Sequence, residues 1–436
     1  MPHVDVTALR PLIVLVPVVL AAGLWLADAD HRRRGAAVLA LLWNLIGLTA
    51  LNILAVKTGW WAFANGGPAL MRIPLDLLVA WAVAWSMIPV LASRWIPLRY
   101  SAVGLVLVDL YGMAALHPVV VLRDDWWWGE TAAVLTCLVP GLVLAGLTLS
   151  RTRLRLRVAL QVVLFTAVLF AAIPVLGGAA AEHGPSTAWL AGGDHRVGGA
   201  LDVIAIQLAL VVGLVALAAV VEFVRAGGTP WPWDPPDSLV TTGPYAYVAN
   251  PMQLCGTVLI LITAVVLSMP ILVVAAVVAA AFSSGMAAWV EDEALAGRFG
   301  RAWSAYRSSV RDWLPHWRPM PTIPPARVYL ARGCDPCSEL AGWIVAHEPV
   351  GLTICDAEDY PGHLRRMRYV SGRGDRRDGL RALAATLAHV NLAWAVVGWV
   401  IGAPVIAPIL QLLVDACGGG PRAIGTRGST GAPTQS

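Results

Sequence analysis

Long apolar runs separated by short clusters of arginine dominate the first two thirds of this chain. The runs from Pro11 to Leu26, Ala36 to Val56 and Val158 to Leu176 approach or exceed the roughly 20 apolar residues that cross a bilayer. The pattern predicts membrane helices over 11–27, 36–56, 73–92, 101–121, 131–149, 158–177 and 201–224. A polar connector rich in Pro and Gly follows, from Arg225 to Asn250. It leads into a tight apolar hairpin at 252–269 and 270–289, broken at Met269-Pro270. After Trp289 the charges cluster and the apolar runs shorten, and Pro319 to Pro325 reads as a linker into a small last domain. Five segments are expected: a six-helix membrane domain (1–200), a second membrane domain with the hairpin (201–318), the linker (319–325), a small domain (326–420) and a disordered tail (421–436).

Composition sharpens this picture. Of 436 residues, 58% are hydrophobic and only 13% charged, and the mean hydropathy is +0.69. A soluble protein carries roughly 25% charged residues, and its core stops growing near about 250–300 residues. The surplus apolar surface must therefore face lipid. A net charge of +4 with scattered arginines gives no case for nucleic acid. Six cysteines over this length form no disulfide scaffold. The first apolar run is long and is followed by Arg32, Arg33 and Arg34, so it reads as a retained helix rather than a cleaved signal.

Arginine placement sets the expected orientation. Arg32–Arg34, then Arg94 and Arg99, then Arg151, Arg153, Arg155 and Arg157, then Arg225 fall in every second loop, while the alternate loops hold few. The basic loops are expected in the cytoplasm, with the N-terminus outside. The result is a multi-pass protein of the cell membrane with about nine transmembrane helices and a cytoplasmic C-terminal domain.

The most informative stretch runs from Arg225 to Pro315. Gly227-Gly-Thr-Pro-Trp-Pro-Trp-Asp-Pro-Pro236 is a stiff connector that cannot be helical. It precedes Gly243-Pro-Tyr-Ala-Tyr-Val-Ala-Asn-Pro251, then the hairpin, then Glu291-Asp-Glu-Ala-Leu295, Phe299-Gly300, Trp303, Tyr306 and Pro315. The hairpin's two crossings bring a polar aromatic loop and an acidic helix start to one membrane face. Carboxylates there can accept hydrogen bonds from hydroxyls or an amine.

These two segments resemble the isoprenylcysteine carboxyl methyltransferase family and the related phospholipid N-methyltransferases over roughly Val221 to Pro315. Gly243, Pro244, Tyr245, Tyr247, Asn250 and Pro251 match the loop; Glu291, Leu295, Phe299, Gly300, Tyr306 and Pro315 match the second part, with Asp292 and Trp303 as conservative replacements. The resemblance implies S-adenosylmethionine bound at the cytoplasmic face and a lipid-soluble acceptor, an isoprenoid among the candidates, arriving through the bilayer. The implied cofactor contacts are Gly243, Pro244, Tyr245, Tyr247, Asn250, Pro251, Gln253, Glu291 and Asp292, with Glu291 and Asn250 as the catalytic pair. The sequence departs from the family at Ala249, where an arginine is usual. A carboxylate acceptor would then need Arg225, Arg307 or Arg311.

In the last segment, Arg327-Val-Tyr-Leu330 predicts a strand, Cys334-Asp-Pro-Cys337 opens a helix to His347, Leu352-Thr-Ile-Cys355 predicts a second parallel strand, and 379–389 another helix. A Cys-x-x-Cys at a helix start favours the thiolate. The segment resembles the DCC family of thiol-disulfide oxidoreductase-like proteins, which implies a small α/β thioredoxin-like domain with Cys334 and Cys337 as its redox pair. It departs at Ala331, the usual place of that family's Asp. No second Cys/His pair has metal-site spacing, so no metal is expected. The apolar run Val390 to Val414 is broken by Asn391, Gly398, Gly402, Pro404 and Pro408, and reads as packed helices of the small domain.

The first 200 residues carry no strong motif. Thr58-Gly-Trp-Trp61, Ile73-Pro-Leu-Asp-Leu77 and Asp109 loosely resemble membrane carotenoid cyclases, although Asp76 lies at a helix end where snorkelling or capping explains it as well. Trp126–Trp128 reads as an interfacial belt. The leading function is a membrane methyltransferase. Two alternatives stay open: a membrane-tethered thiol-disulfide oxidoreductase, and a non-catalytic lipid-binding scaffold.

Overall fold

The computed structural model describes residues 6–64, 69–113, 119–183, 199–287, 295–321, 323–332 and 335–421. Glu291, Asp292, Cys334 and the tail beyond 421 lie outside the described residues. The chain divides into two compact units: Met1–Gly184 with Thr229–Pro235, and Pro185–Gly228 with Pro236–Ser436.

The first unit is a bundle of α1 (Val6–Ala27), α2 (His31–Thr58), α3 (Leu75–Arg94), α4 (Leu98–Gly112), α5 (Trp126–Ser150) and α6 (Leu154–Ala179). Asp30 caps α2 by accepting the Arg32 and Arg33 N–H groups, and Gly59 ends it in the left-handed region. α2 is the central helix: it packs on α3 and α5, with Ala36, Ala37, Leu39, Ala40 and Leu48 fully buried. Strand β1 (Trp61–Phe63) pairs antiparallel with β2 (Val120–Leu122). At the opposite end of α2, Arg94 donates to the Ala27 carbonyl at 3.2 Å. The chain from Arg94 to Val120 therefore runs from one end of the unit to the other, although α4 has only 15 residues, about 22 Å of helix.

Polar groups inside this bundle are few and specific. Arg10 pairs with Asp76 at 2.9 Å, so Asp76 is a partnered helix-end residue. The Trp85 indole donates to Asp109 at 2.7 Å. Glu130 is 2% exposed, and neither of its carboxylate oxygens is hydrogen-bonded among the described residues. Trp127 and Trp128 stack on each other at 3.8 Å.

Residues 229–235 belong to this unit because they fill its open side. Trp231 joins Leu39, Leu144 and Leu164 in a buried cluster. Trp233 lies so close to Gly35 that a Cβ there would stand 2.6 Å from the Trp233 Cβ. Asp234 meets Arg157 at 3.0 Å, with the two side chains 2% and 1% exposed.

The second unit holds α7 (Ala200–Arg225), the hairpin α8 (Pro251–Val266) and α9 (Ile271–Phe282), and α10 (Arg301–Ser309). It also holds a four-stranded sheet of β3 (Ala326–Leu330), β4 (Leu352–Asp356), β5 (Arg368–Val370) and β6 (Arg376–Asp378) in the order β4-β3-β5-β6. β3 and β4 are parallel, joined by α11 (Asp335–Ala346); β5 and β6 run antiparallel to their neighbours. After β6 come α12 (Leu380–Leu387), α13 (Leu392–Ile401) and α14 (Ile406–Val414).

The architecture is that of a mostly helical, polytopic membrane protein, but the span count is corrected. Six helices among the described residues are long and apolar enough to cross a membrane, or seven if the bent pair α13–α14 is one span. The expected nine included α4 and both arms of the hairpin. Among the described residues those arms cover Pro251–Val266 and Ile271–Gly285; the first is about 24 Å long at 1.5 Å per residue, less than the ~30 Å hydrocarbon layer, and residues 288–294 after the second lie outside the described ones. The hairpin breaks where the sequence places it, with Ser268 at φ 50 and Pro270 between the two arms.

The buried pair of the first unit gives a stability test. Asp234→Ala leaves Arg157 without its counter-charge, which costs about 3–5 kcal/mol. Thermal unfolding in detergent should show a large loss, and Arg157→Met added to Asp234→Ala should recover most of it.

Candidate functional site

The matched loop lies entirely in the second unit and is held from three sides. Gly243–Ala246 form one turn of 3-10 helix, with Gly243 at φ +62. Only glycine fits there: a Cβ would stand 2.7 Å from the Glu222 Cγ. Glu222, near the end of α7, is 8% exposed. It accepts the Thr242 hydroxyl at 2.7 Å and Arg377 at 3.2 Å, and pairs with Arg225. One carboxylate thus ties the span, the loop and the sheet.

Both tyrosines of the loop face inward. Tyr245 packs on Phe223 with ring centroids 5.1 Å apart, and its carbonyl accepts the Tyr306 hydroxyl at 2.9 Å. Tyr247 is fully buried, donates its hydroxyl to the Ala388 carbonyl at 3.0 Å and meets Trp399 edge-on at 5.5 Å. Burial pushes the Tyr247 and Tyr306 phenols above their ordinary range, so both act as neutral donors.

The segment after α10 runs beside the loop and pairs with it backbone to backbone. Ala249 N–H donates to Arg311 C=O at 2.9 Å and Asn250 N–H to Asp312 C=O at 3.2 Å. In return, His316 N–H donates to Tyr247 C=O at 2.9 Å and Met320 N–H to Ala246 C=O at 2.8 Å. The start of the expected linker is therefore held at the loop: Pro319 is buried, and half-buried Met320 bonds to Ala246.

This clamp presents the start of α8. Asn250 stands at the N-cap without a capping bond from its side chain, and Pro251 fills the first helical position. The open N–H groups of a first turn suit an anionic group. Gln253 Oε1 is buried and accepts no hydrogen bond among the described residues. An orphaned acceptor beside open helix N–H groups suits an amino-acid moiety, which carries an ammonium and a carboxylate together. Next to Ala249 lies a cleft of about 460 Å³ lined by Arg307, Val310, Arg311, Asp312 and His316 among others. Of the three arginines that could replace the one missing at Ala249, Arg225 pairs with Glu222 and Arg307 with Asp312. Arg311 is exposed at the cleft. His316 Nε2 is buried with no partner among the described residues.

The structure thus brings Gly243, Pro244, Tyr245, Tyr247, Asn250, Pro251 and Gln253 into one clamped loop and helix start. Cys337 sits elsewhere in this unit, on α11 against Val328, Leu330 and Ile344. Sequence reading missed Glu222, Trp399, Arg377 and His316. Glu222 had a readable signal, as an acid inside an apolar run. The others had none, because their partners are distant in sequence.

The far wall of the loop yields a pH test. His389, beside Ala388, holds the Val350 carbonyl with Nδ1 and the Tyr369 hydroxyl with Nε2, at 2.8 and 2.9 Å. Burial lowers its pKa below the ordinary 6.5, opposed by the Val350 carbonyl and reinforced by Arg377. The unfolded chain therefore binds this proton first. Stability is full above about pH 6.5 and declines as pH falls through that value. The melting temperature should drop more steeply between pH 7 and 5 in the parent than in His389→Gln.

Residues 202–302 match the family model described as phospholipid methyltransferase. The match runs from α7 through the clamped loop and the hairpin into α10, and makes this part of the chain methyltransferase-like. Comparison with curated proteins and with solved structures gives no match.

Proposed function

We propose that residues 201–318 form an S-adenosylmethionine-dependent methyltransferase that modifies a lipid-soluble acceptor, an isoprenoid among the candidates, at the cytoplasmic face. The observation that carries this is the clamped Gly243–Asn250 loop at the open start of α8, with Gln253 Oε1 orphaned beside it, within the matched segment. The cytoplasmic assignment, with the N-terminus outside, rests on the arginine alternation.

S-adenosylmethionine, when bound, supplies a methyl group already activated on a sulfonium. The chain has to bind, align and exclude water. The first turn of α8 would receive the cofactor carboxylate, and Asn250 and Gln253 would hold its amino group. Glu291 and Asp292 accept its hydroxyls. Gly243, Pro244, Tyr245 and Tyr247 fix the loop, and Pro251 sets the start of the helix. Arg311 takes the anionic group of the acceptor in place of the arginine that Ala249 lacks. Isothermal calorimetry in detergent should detect S-adenosylhomocysteine. Asn250→Ala and Glu291→Ala should each weaken it about ten- to a hundredfold, the loss of one charge-assisted hydrogen bond. Absence of binding by the parent protein would refute the reading. Arg311→Gln should raise KM for an anionic acceptor and leave cofactor affinity unchanged.

A second reading concerns residues 326–420. The strand order β4-β3-β5-β6, with the parallel pair linked by a helix that starts inside the Cys-x-x-Cys and carries Cys337, supports a thioredoxin-like fold with thiol-disulfide exchange at Cys334 and Cys337. In a reducing cytosol both rest as thiols. Replacing both with Ser should abolish exchange with a dithiol reporter. If methyl transfer survives that change unaltered, the two activities are separate.

A further inference from the structure

The end of the chain carries two helices whose outer faces are apolar. α13 and α14 meet at 88°. α13 places Ala395 and Trp399 against Val215 and Ala218 of α7 and against Tyr247. Those α7 residues lie ten and seven positions before its last residue, Arg225, about 15 and 10 Å along the axis. α13 therefore runs beside a membrane span, within the depth of the layer that span crosses. Its close neighbour is α12: a Cβ on Gly398 would stand 2.4 Å from the Ala384 carbonyl oxygen, and one on Gly402 2.9 Å from the Ala384 Cβ. Small residues four apart are how helices approach closely in lipid.

α14 is two-faced. Ala407 is buried, Gln411 Oε1 accepts the Leu380 N–H at 2.7 Å, and Asp415, just past the helix, pairs with Arg366 at 2.6 Å. On the opposite side Val405, Ile409, Leu412 and Leu413 are 71%, 58%, 69% and 57% exposed. Their spacing of four, three and one makes a single stripe. Val397 of α13, 42% exposed, adds to it from the neighbouring helix. Soluble surfaces rarely leave such a stripe open. α14 follows α13, and α13 runs beside a membrane span, so lipid is the occupant that suits the stripe.

We propose that α13 and α14 form a re-entrant corner that seats the mixed sheet against the bilayer surface. α13 lies in the hydrocarbon layer along α7. α14 lies flat at the boundary with the headgroups, its apolar stripe in the acyl chains and its Gln411–Asp415 side toward the protein. The sheet is then docked on the membrane through these two helices rather than tethered away from it, and the α13 wall against Tyr247 belongs to the membrane side of the candidate site.

Spin labels on the full-length protein in liposomes test this without any activity readout, so the result is independent of the methyltransferase reading. Cysteines are introduced as Ile409→Cys and Leu412→Cys, with Val405→Cys in reserve should either fail to fold, in a Cys334→Ser, Cys337→Ser, Cys355→Ser and Cys417→Ser background. Arg376→Cys, on an exposed position of β6, is the aqueous control. Labels at 409 and 412 should be relaxed by oxygen and shielded from a nickel chelate, and the control should show the reverse. Nickel access at 409 and 412 equal to the control would overturn the proposal. So would dipolar broadening at 412 in dilute liposomes, which would put a second copy on the stripe instead of lipid.

Discussion

A carboxylate at the end of a membrane helix cannot be left alone, because an uncompensated charge removed from water costs several kcal/mol. Glu222 is compensated three times, by Arg225 on its own helix, by the Thr242 hydroxyl and by Arg377 of β6. Each partner belongs to a different part of the second unit. The span ends there, the loop begins its turn there, and the sheet is anchored there. Gly243 is an outcome of the same crowding, since no side chain fits between the loop and this carboxylate.

With the loop fixed at one end by Glu222, its aromatic residues complete the clamp. Tyr247 bonds across to Ala388 and Tyr306 bonds back to Tyr245, while four backbone hydrogen bonds lace residues 246–250 to residues 311–320. The loop has few degrees of freedom left to lose on binding, and such preorganisation is the main contribution a methyltransferase needs from its protein. The aromatic residues that carry the family resemblance serve this rigidity, and the polar groups left without protein partners lie one turn further on, at the head of α8.

Sequence alone was a good guide where chemistry is local. Gly243-Pro-Tyr-Ala-Tyr marks the loop because each residue has a short-range reason to be there, and the strands Ala326–Leu330 and Leu352–Asp356 lie where the sequence reading places them, at 327–330 and 352–355. It was a poor guide where a helix must be measured rather than recognised. α8 is as apolar as the true spans, and it ends after 16 residues at the turn of Ser268 and Pro270. Val390–Val414 was read as interior to a small domain from its glycines and prolines. Those residues do break it into two helices, but Gly398 and Gly402 serve close packing on α12, and the outer side stays apolar. Periodicity reports which residues share a face, and it is silent on what that face meets.

The seven residues Thr229–Pro235 have a consequence for how the protein can be taken apart. The chain enters the first unit with Trp231, Trp233 and Asp234 only after it has already built α7 of the second. A fragment ending near residue 200 would hold all six helices of the first unit yet lack its Asp234, leaving Arg157 charged and enclosed. During synthesis the same holds in time: the first bundle stays incomplete until the ribosome has passed the seventh helix. The two units interleave along the chain, and neither corresponds to one continuous piece of the gene.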